Sequence, residues 1–172
     1  MTRPDQILQK RKFSVIFTAL ILTGLFMGLP LPQAAAQEVS FATYTNARFG
    51  YSIKYPAGVL VPQGESENGD GQRFISPDGR SVLTVWGSHN ALGESLEENF
   101  RQALQDFGGK VTYQVKKGNW YVFSGYRGGA ILYQKTYLIN GVFKTFTWEY
   151  PEEQRGLFDR VTGVIAASFT GR

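Results

Sequence analysis

The chain contains no cysteine and a single histidine among its 172 residues. With no thiol it forms no disulfide, binds no metal through thiolate and has no site for a lipoprotein acyl chain. One imidazole, His89, falls short of the ligand set a zinc or copper centre needs. No glycine-rich stretch has the spacing of a phosphate-binding loop. Gly125 to Gly129 (GYRGG) lies in a strand connection and not ahead of a helix, so a nucleotide site has no support. No cofactor is expected. The stability of a cysteine-free domain must come from its core.

The first 36 residues have the order of a secretory signal peptide. Arg3, Lys10, Arg11 and Lys12 form a basic start, and Phe13 to Leu29 run uncharged for 17 residues. Pro30 and Pro32 then break the run, because proline lacks an amide proton and clashes with the preceding turn. Ala34, Ala35 and Ala36 supply small residues for a peptidase, and cleavage is expected after Ala36. The alternative is an uncleaved anchor, since 17 apolar residues reach the lower end of the roughly 17–25 that span a bilayer. Both readings export the remainder, to a periplasm or beyond the cell, because the positive flank stays in the cytoplasm. Lysine after Arg11 argues against a twin-arginine route.

The leader also accounts for most of the basicity. It carries four of the 18 basic and one of the 14 acidic residues, leaving a net charge of +1 for Gln37 to Arg172. A near-neutral exported domain gives no support to a nucleic-acid partner. At 136 residues this part is one domain by size, and 22 of those residues are Phe, Tyr or Trp, ample for a core.

Alternation predicts strands at Phe41 to Thr45 and Tyr51 to Tyr55, and Asn46 to Gly50 suits the turn between them. Gln63 to Gly71 (QGESENGDG) reads as a polar surface loop. Arg73 to Ser76 and Ser81 to Gly87 read as strands around a Pro77-Asp78-Gly79-Arg80 turn. Ser95 and Glu98 have capping-box spacing, and Leu96, Phe100, Ala103, Leu104 and Phe107 share a helical face, so Ser95 to Phe107 is a helix. Four strands follow at Val111 to Lys116, Trp120 to Tyr126, Ala130 to Ile139 and Val142 to Tyr150. Asn140-Gly141 is a strong hairpin signal between the last two. A closing helix spans about Glu152 to Ser168, with Leu157, Val161, Val164, Ile165 and Ser168 as its apolar face. The fold class is therefore α+β, an antiparallel sheet of about six to eight strands covered by two amphipathic helices as an α/β/α-type sandwich.

The segments FGYSIKYP, NGDGQRFISPDGR, GNWYVFSGYRGGAILYQKTY and FTWEYP, ahead of a closing helix, resemble the PsbP-like superfamily. That group holds extrinsic photosystem proteins, Mog-type Ran-binding proteins and exported bacterial domains. The resemblance covers nearly all of Phe41 to Phe169 as an order of elements and turns. It implies an antiparallel sheet flanked by helices and a binding or accessory role, and it carries no site residue to transfer.

Three places invite chemistry. Ser88 and His89 are a nucleophile and a base side by side, the starting point of a hydrolase reading, but neighbours in a chain rarely reach the geometry of a triad. Glu65, Glu67 and Asp70 crowd one loop, yet their spacing matches no calcium-binding pattern. The aromatic strands are the third. Alternation puts Ile131, Tyr133, Lys135 and Tyr137 on one face of their strand, and Trp120, Val122 and Ser124 on one face of theirs. With one face under the helices, the other would carry aromatics interleaved with Lys116, Arg127, Lys135 and Lys144. Trp120, Tyr126, Arg127, Tyr133, Lys135 and Tyr137 are thus the candidate binding residues, for a protein or envelope component, or for a small ligand held in an aromatic pocket. The competing reading is that strand tyrosines simply fill cross-strand pairs.

Overall fold

The computed structural model describes residues 39–171. The expected leader, residues 1–36, and the expected cleavage position after Ala36 lie outside them. Among the described residues no helix is long and apolar enough to cross a membrane.

The polypeptide runs β1 (Phe41–Asn46), β2 (Tyr51–Pro56), β3 (Val61–Glu65), β4 (Gly71–Ile75), β5 (Val82–His89), α1 (Leu96–Phe107), β6 (Lys110–Lys117), β7 (Trp120–Arg127), β8 (Ala130–Ile139), β9 (Val142–Pro151), a 3₁₀ turn (Glu152–Gln154), α2 (Arg155–Ser168) and β10 (Thr170–Gly171). Seven strands form one antiparallel sheet in the order β3-β4-β5-β9-β8-β7-β6, and β1-β2-β10 form a separate small one. Turn chemistry sets the meander. Asn140 and Gly141 both take positive φ, and so do Gly128 and Gly129, which closes the β8–β9 and β7–β8 hairpins with two residues each.

Helix α1 begins as its sequence dictates. The Ser95 hydroxyl accepts from the Glu98 amide, and the Glu98 carboxylate accepts from the Ser95 amide. Gly108, at φ 61°, ends the helix. Leu96, Phe100, Ala103, Leu104 and Phe107 settle on Tyr121, Phe123 and Leu132 of the large sheet. Ser95→Ala is expected to cost about 1 kcal/mol, the usual worth of an N-cap, read as a lower urea midpoint at unchanged slope. An unchanged midpoint would show that packing alone holds the helix start.

Helix α2 and the small sheet cover the opposite face. Phe158, Val161 and Ile165 are buried there against Ile53, Phe146 and Trp148, with Phe169 just beyond the helix. Tyr55 stacks on Phe74 at 4.3 Å, which joins the small sheet to the large one.

The sandwich expected from the sequence needs correction in three respects. Its helices lie on opposite sides of the large sheet, as an α/β/α order has them, but α2 shares its side with a second, three-stranded sheet, so neither face is left free of a helix. Gln63 to Glu65, read as loop, belong to β3, an edge strand that is exposed along its whole length and so shows no alternation. The buried stripe of α2 is Phe158, Val161 and Ile165, whereas Leu157 and Val164 face solvent.

Candidate functional site

The large sheet is wider than the elements that cover it. On the face shared with α2, the register aligns Tyr126 with Ile131, Ser124 with Tyr133, Val122 with Lys135 and Trp120 with Tyr137. Beyond them β6 continues that face with Tyr113 opposite Ser124 and Val115 opposite Val122. Of the large sheet, helix α2 packs chiefly on β8 and β9, so a strip between α2 and the β6 edge stays partly open. Trp120, Tyr126, Tyr133, Lys135 and Tyr137 are all half-buried along it, and Tyr113 is 52% exposed.

Each end of the strip has its own polar chemistry. At the Trp120 end, the Lys135 ammonium donates to the carbonyl of Ala166 in α2, at 3.0 Å. It also sits 5.5 Å from the Trp120 ring centre and 5.0 Å from that of Tyr137, a double cation–π arrangement. At the other end a cleft of about 360 Å³ opens between Thr112, Tyr113, Ser124 and Tyr126 on the sheet and Arg155, Asp159 and Thr162 on α2. Arg155 donates to the Asp159 carboxylate at 2.9 Å and to the Tyr126 hydroxyl at 3.1 Å. Tyr150 donates to the same carboxylate from beneath, at 2.9 Å. Between the ends lies Tyr133, stacked on Phe146, its phenol pushed up to about 12 by burial.

Five of the six candidate residues therefore meet on one surface. Arg127 does not. It points to the α1 face, donates to the carbonyl of Phe107 at 3.2 Å and pairs with Glu149. It satisfies a free carbonyl at the end of α1, a capping role. The expected interleaving of four cations splits likewise. Lys116 pairs with Glu97 of α1, whereas Lys144 is buried and donates to Gly50, so only Lys135 serves the strip. Tyr113, Arg155 and Asp159 were not among the expected residues. The alternation of β6 places Tyr113 on this face, and the i,i+4 spacing of Arg155 and Asp159 marks a helix surface pair.

The other two sequence leads dissolve in the geometry. Ser88 and His89 are consecutive in β5, so the pleat sends them to opposite faces, and the His89 ring rests against Phe49 at 5.2 Å. Glu65 accepts from Tyr44 and Asn46, while Asp70 accepts from Ser66 and Asn68. The acids thus serve separate loop contacts, and among the described residues no group of three His, Asp or Glu side chains is placed to hold a metal ion. A larger cleft, of about 590 Å³, lies between Ala57–Val59, Ser76–Asp78 and Gln154–Phe158. It has Asp78 as its only charged group and no aromatic platform beyond Phe158, so it offers less to recognise a ligand than the strip does.

Comparison with known proteins agrees at the level of fold. No protein-family model matches the chain, and no curated protein does. Among solved structures the chain is similar to the solution structure of cyanobacterial PsbP from Synechocystis sp. PCC 6803. The TM-score is 0.58 at 15% identity, over 83% of this chain and 99% of that one. The domain has a PsbP-like fold.

Proposed function

We propose that Gln37–Arg172 is an exported, non-enzymatic accessory domain that binds a protein or another envelope component through the strip between α2 and β6. The observation that carries this is the run of aromatics along one sheet face, Tyr113 exposed and Trp120, Tyr126, Tyr133 and Tyr137 only partly buried, with Tyr133 and Tyr137 also packing inward on Phe146 and Phe169. Amphipathic rings beside cations such as Lys135 and Arg155 are the side chains that protein recognition surfaces favour. The leader supports export, and the PsbP-like fold accords with a binding role, though a fold by itself assigns no function.

A photo-reactive side chain tests this reading when placed at Tyr113 or, as a control, at Leu92, which is 86% exposed near the start of α1. Irradiating cells that produce the full chain is expected to give a discrete adduct from position 113 and none from 92. Equal adducts at both positions, or none at either, would overturn the reading.

A further inference from the structure

The large sheet has two edges, and the sequence treats them differently. Edge strand β3 is short and carries Pro62, two features that spoil it as a template for another strand. Edge strand β6 is eight residues long, contains no proline and ends the sheet with nothing paired to its outer side among the described residues. Its outward amides and carbonyls form a row that another extended chain can join.

The side chains beside that row form a pattern. The register aligns Lys110 with Tyr126, Tyr113 with Ser124, Val115 with Val122 and Lys117 with Trp120, with a bulge after Val111. Lys110, Tyr113, Val115 and Lys117 therefore share the face that holds the strip. Two apolar positions stand between two cations. Both lysines are exposed, and neither is in an ion pair among the described residues, unlike Lys116, which is held by Glu97.

This pattern selects among occupants. A second copy pairing antiparallel through β6 about a two-fold axis would set Lys110 of each chain opposite Lys117 of the other. Like charges would then face each other at both ends, which is destabilising. A strand whose alternate residues read acidic, apolar, apolar, acidic places a carboxylate opposite each lysine and its two apolar side chains over Tyr113 and Val115. We propose that β6 is the docking edge for an extended segment of a partner protein with that alternating pattern, added to the large sheet as an eighth strand. This rests on the protein-binding reading above and supplies the partner's chemistry.

The test uses the full-length chain and two capped seven-residue peptides, Glu-Thr-Val-Thr-Val-Thr-Glu and its lysine-ended counterpart, Lys-Thr-Val-Thr-Val-Thr-Lys. Affinity is followed by fluorescence anisotropy and amide exchange by NMR. The acidic peptide is expected to bind about 10-fold or more tightly than the lysine-ended one, given the size of cross-strand charge pairs. Binding should slow exchange at the outward amides of β6. The double change Lys110→Glu and Lys117→Glu, at two exposed positions, should invert the preference. Equal binding of the two peptides, a preference that survives the double change, no saturable binding by either, or protection elsewhere than β6 would each overturn the proposal. So would a dimer of the chain that protects β6. A position-specific adduct at Tyr113 without protection of β6 would sink this proposal and leave the broader reading standing. Loss of both results would remove both.

Discussion

Trp148→Ala is expected to destabilise the domain by about 3–5 kcal/mol, the cost of deleting a buried aromatic from a core that cannot collapse around the hole. Trp148 lies in β9, fully buried, with Tyr150 5.2 Å away and Phe158 of α2 meeting it edge-on at 5.2 Å. Its cross-strand neighbours are Leu83 on one side and Tyr133 on the other, so it touches both halves of the large sheet and the helix that covers them. Trp148→Phe separates two contributions. The indole nitrogen finds no acceptor among the described residues, and an unsatisfied buried donor costs about 1–3 kcal/mol. Phenylalanine removes that donor along with some volume, so Trp148→Phe should cost less than half as much as Trp148→Ala. Urea denaturation of the three proteins decides the matter. Equal losses for the two variants would mean that the indole N–H contributes a bond.

How much of this was legible depends on the range of the interaction concerned. Local signals were readable. The Ser95–Glu98 box, the Asn140-Gly141 turn and the alternation of Trp120 to Tyr137 act over a few residues, and each stands in the structure to within a residue or two. Strand β3 was not readable, because an edge strand exposed along its length has no buried face to impose a period of two. Long-range closure was not readable either. Thr170 pairs with Ser52 across most of the described chain, and that contact adds the third strand of the small sheet.

The candidate site follows the same division. Alternation correctly groups Tyr133, Lys135 and Tyr137, and separately Trp120 with its face of β7. It cannot say which face a helix will cover. That is why Arg127 and Lys116, assigned to the open surface, belong instead to the α1 side. The residues that complete the strip, Arg155 and Asp159, come from α2, and only the tertiary packing of that helix brings them to Tyr126.

Raising the pH should unfold the domain through its buried tyrosines. Burial pushes the phenols of Tyr133 and Tyr150 up to about 12 from an ordinary 10.0, and it raises that of Tyr51 as well. Tyr51 donates to the carbonyl of Asp70 and Tyr150 donates to Asp159, bonds that a phenolate cannot make. Between pH 10 and 12 the unfolded chain releases protons that the folded chain retains, so stability falls as pH rises through that window and is unaffected by these groups well below 10. Tyr133 and Tyr150 should each contribute to the loss. Lys144 acts in the opposite sense. Burial lowers its pKa, so unfolding takes up a proton below 10.5, and its contribution raises stability with pH until it is complete there. Three tyrosines outweigh one lysine, and their effect continues after the lysine's has ended. Urea midpoints measured from pH 8 to 12 should therefore fall steeply above 10, while tyrosinate absorbance of the folded chain lags behind that of the unfolded one. Tyr133→Phe and Tyr150→Phe should each flatten that slope. Full tyrosinate absorbance near pH 10.5 in a chain that is still folded would show that these rings are not held protonated by their burial.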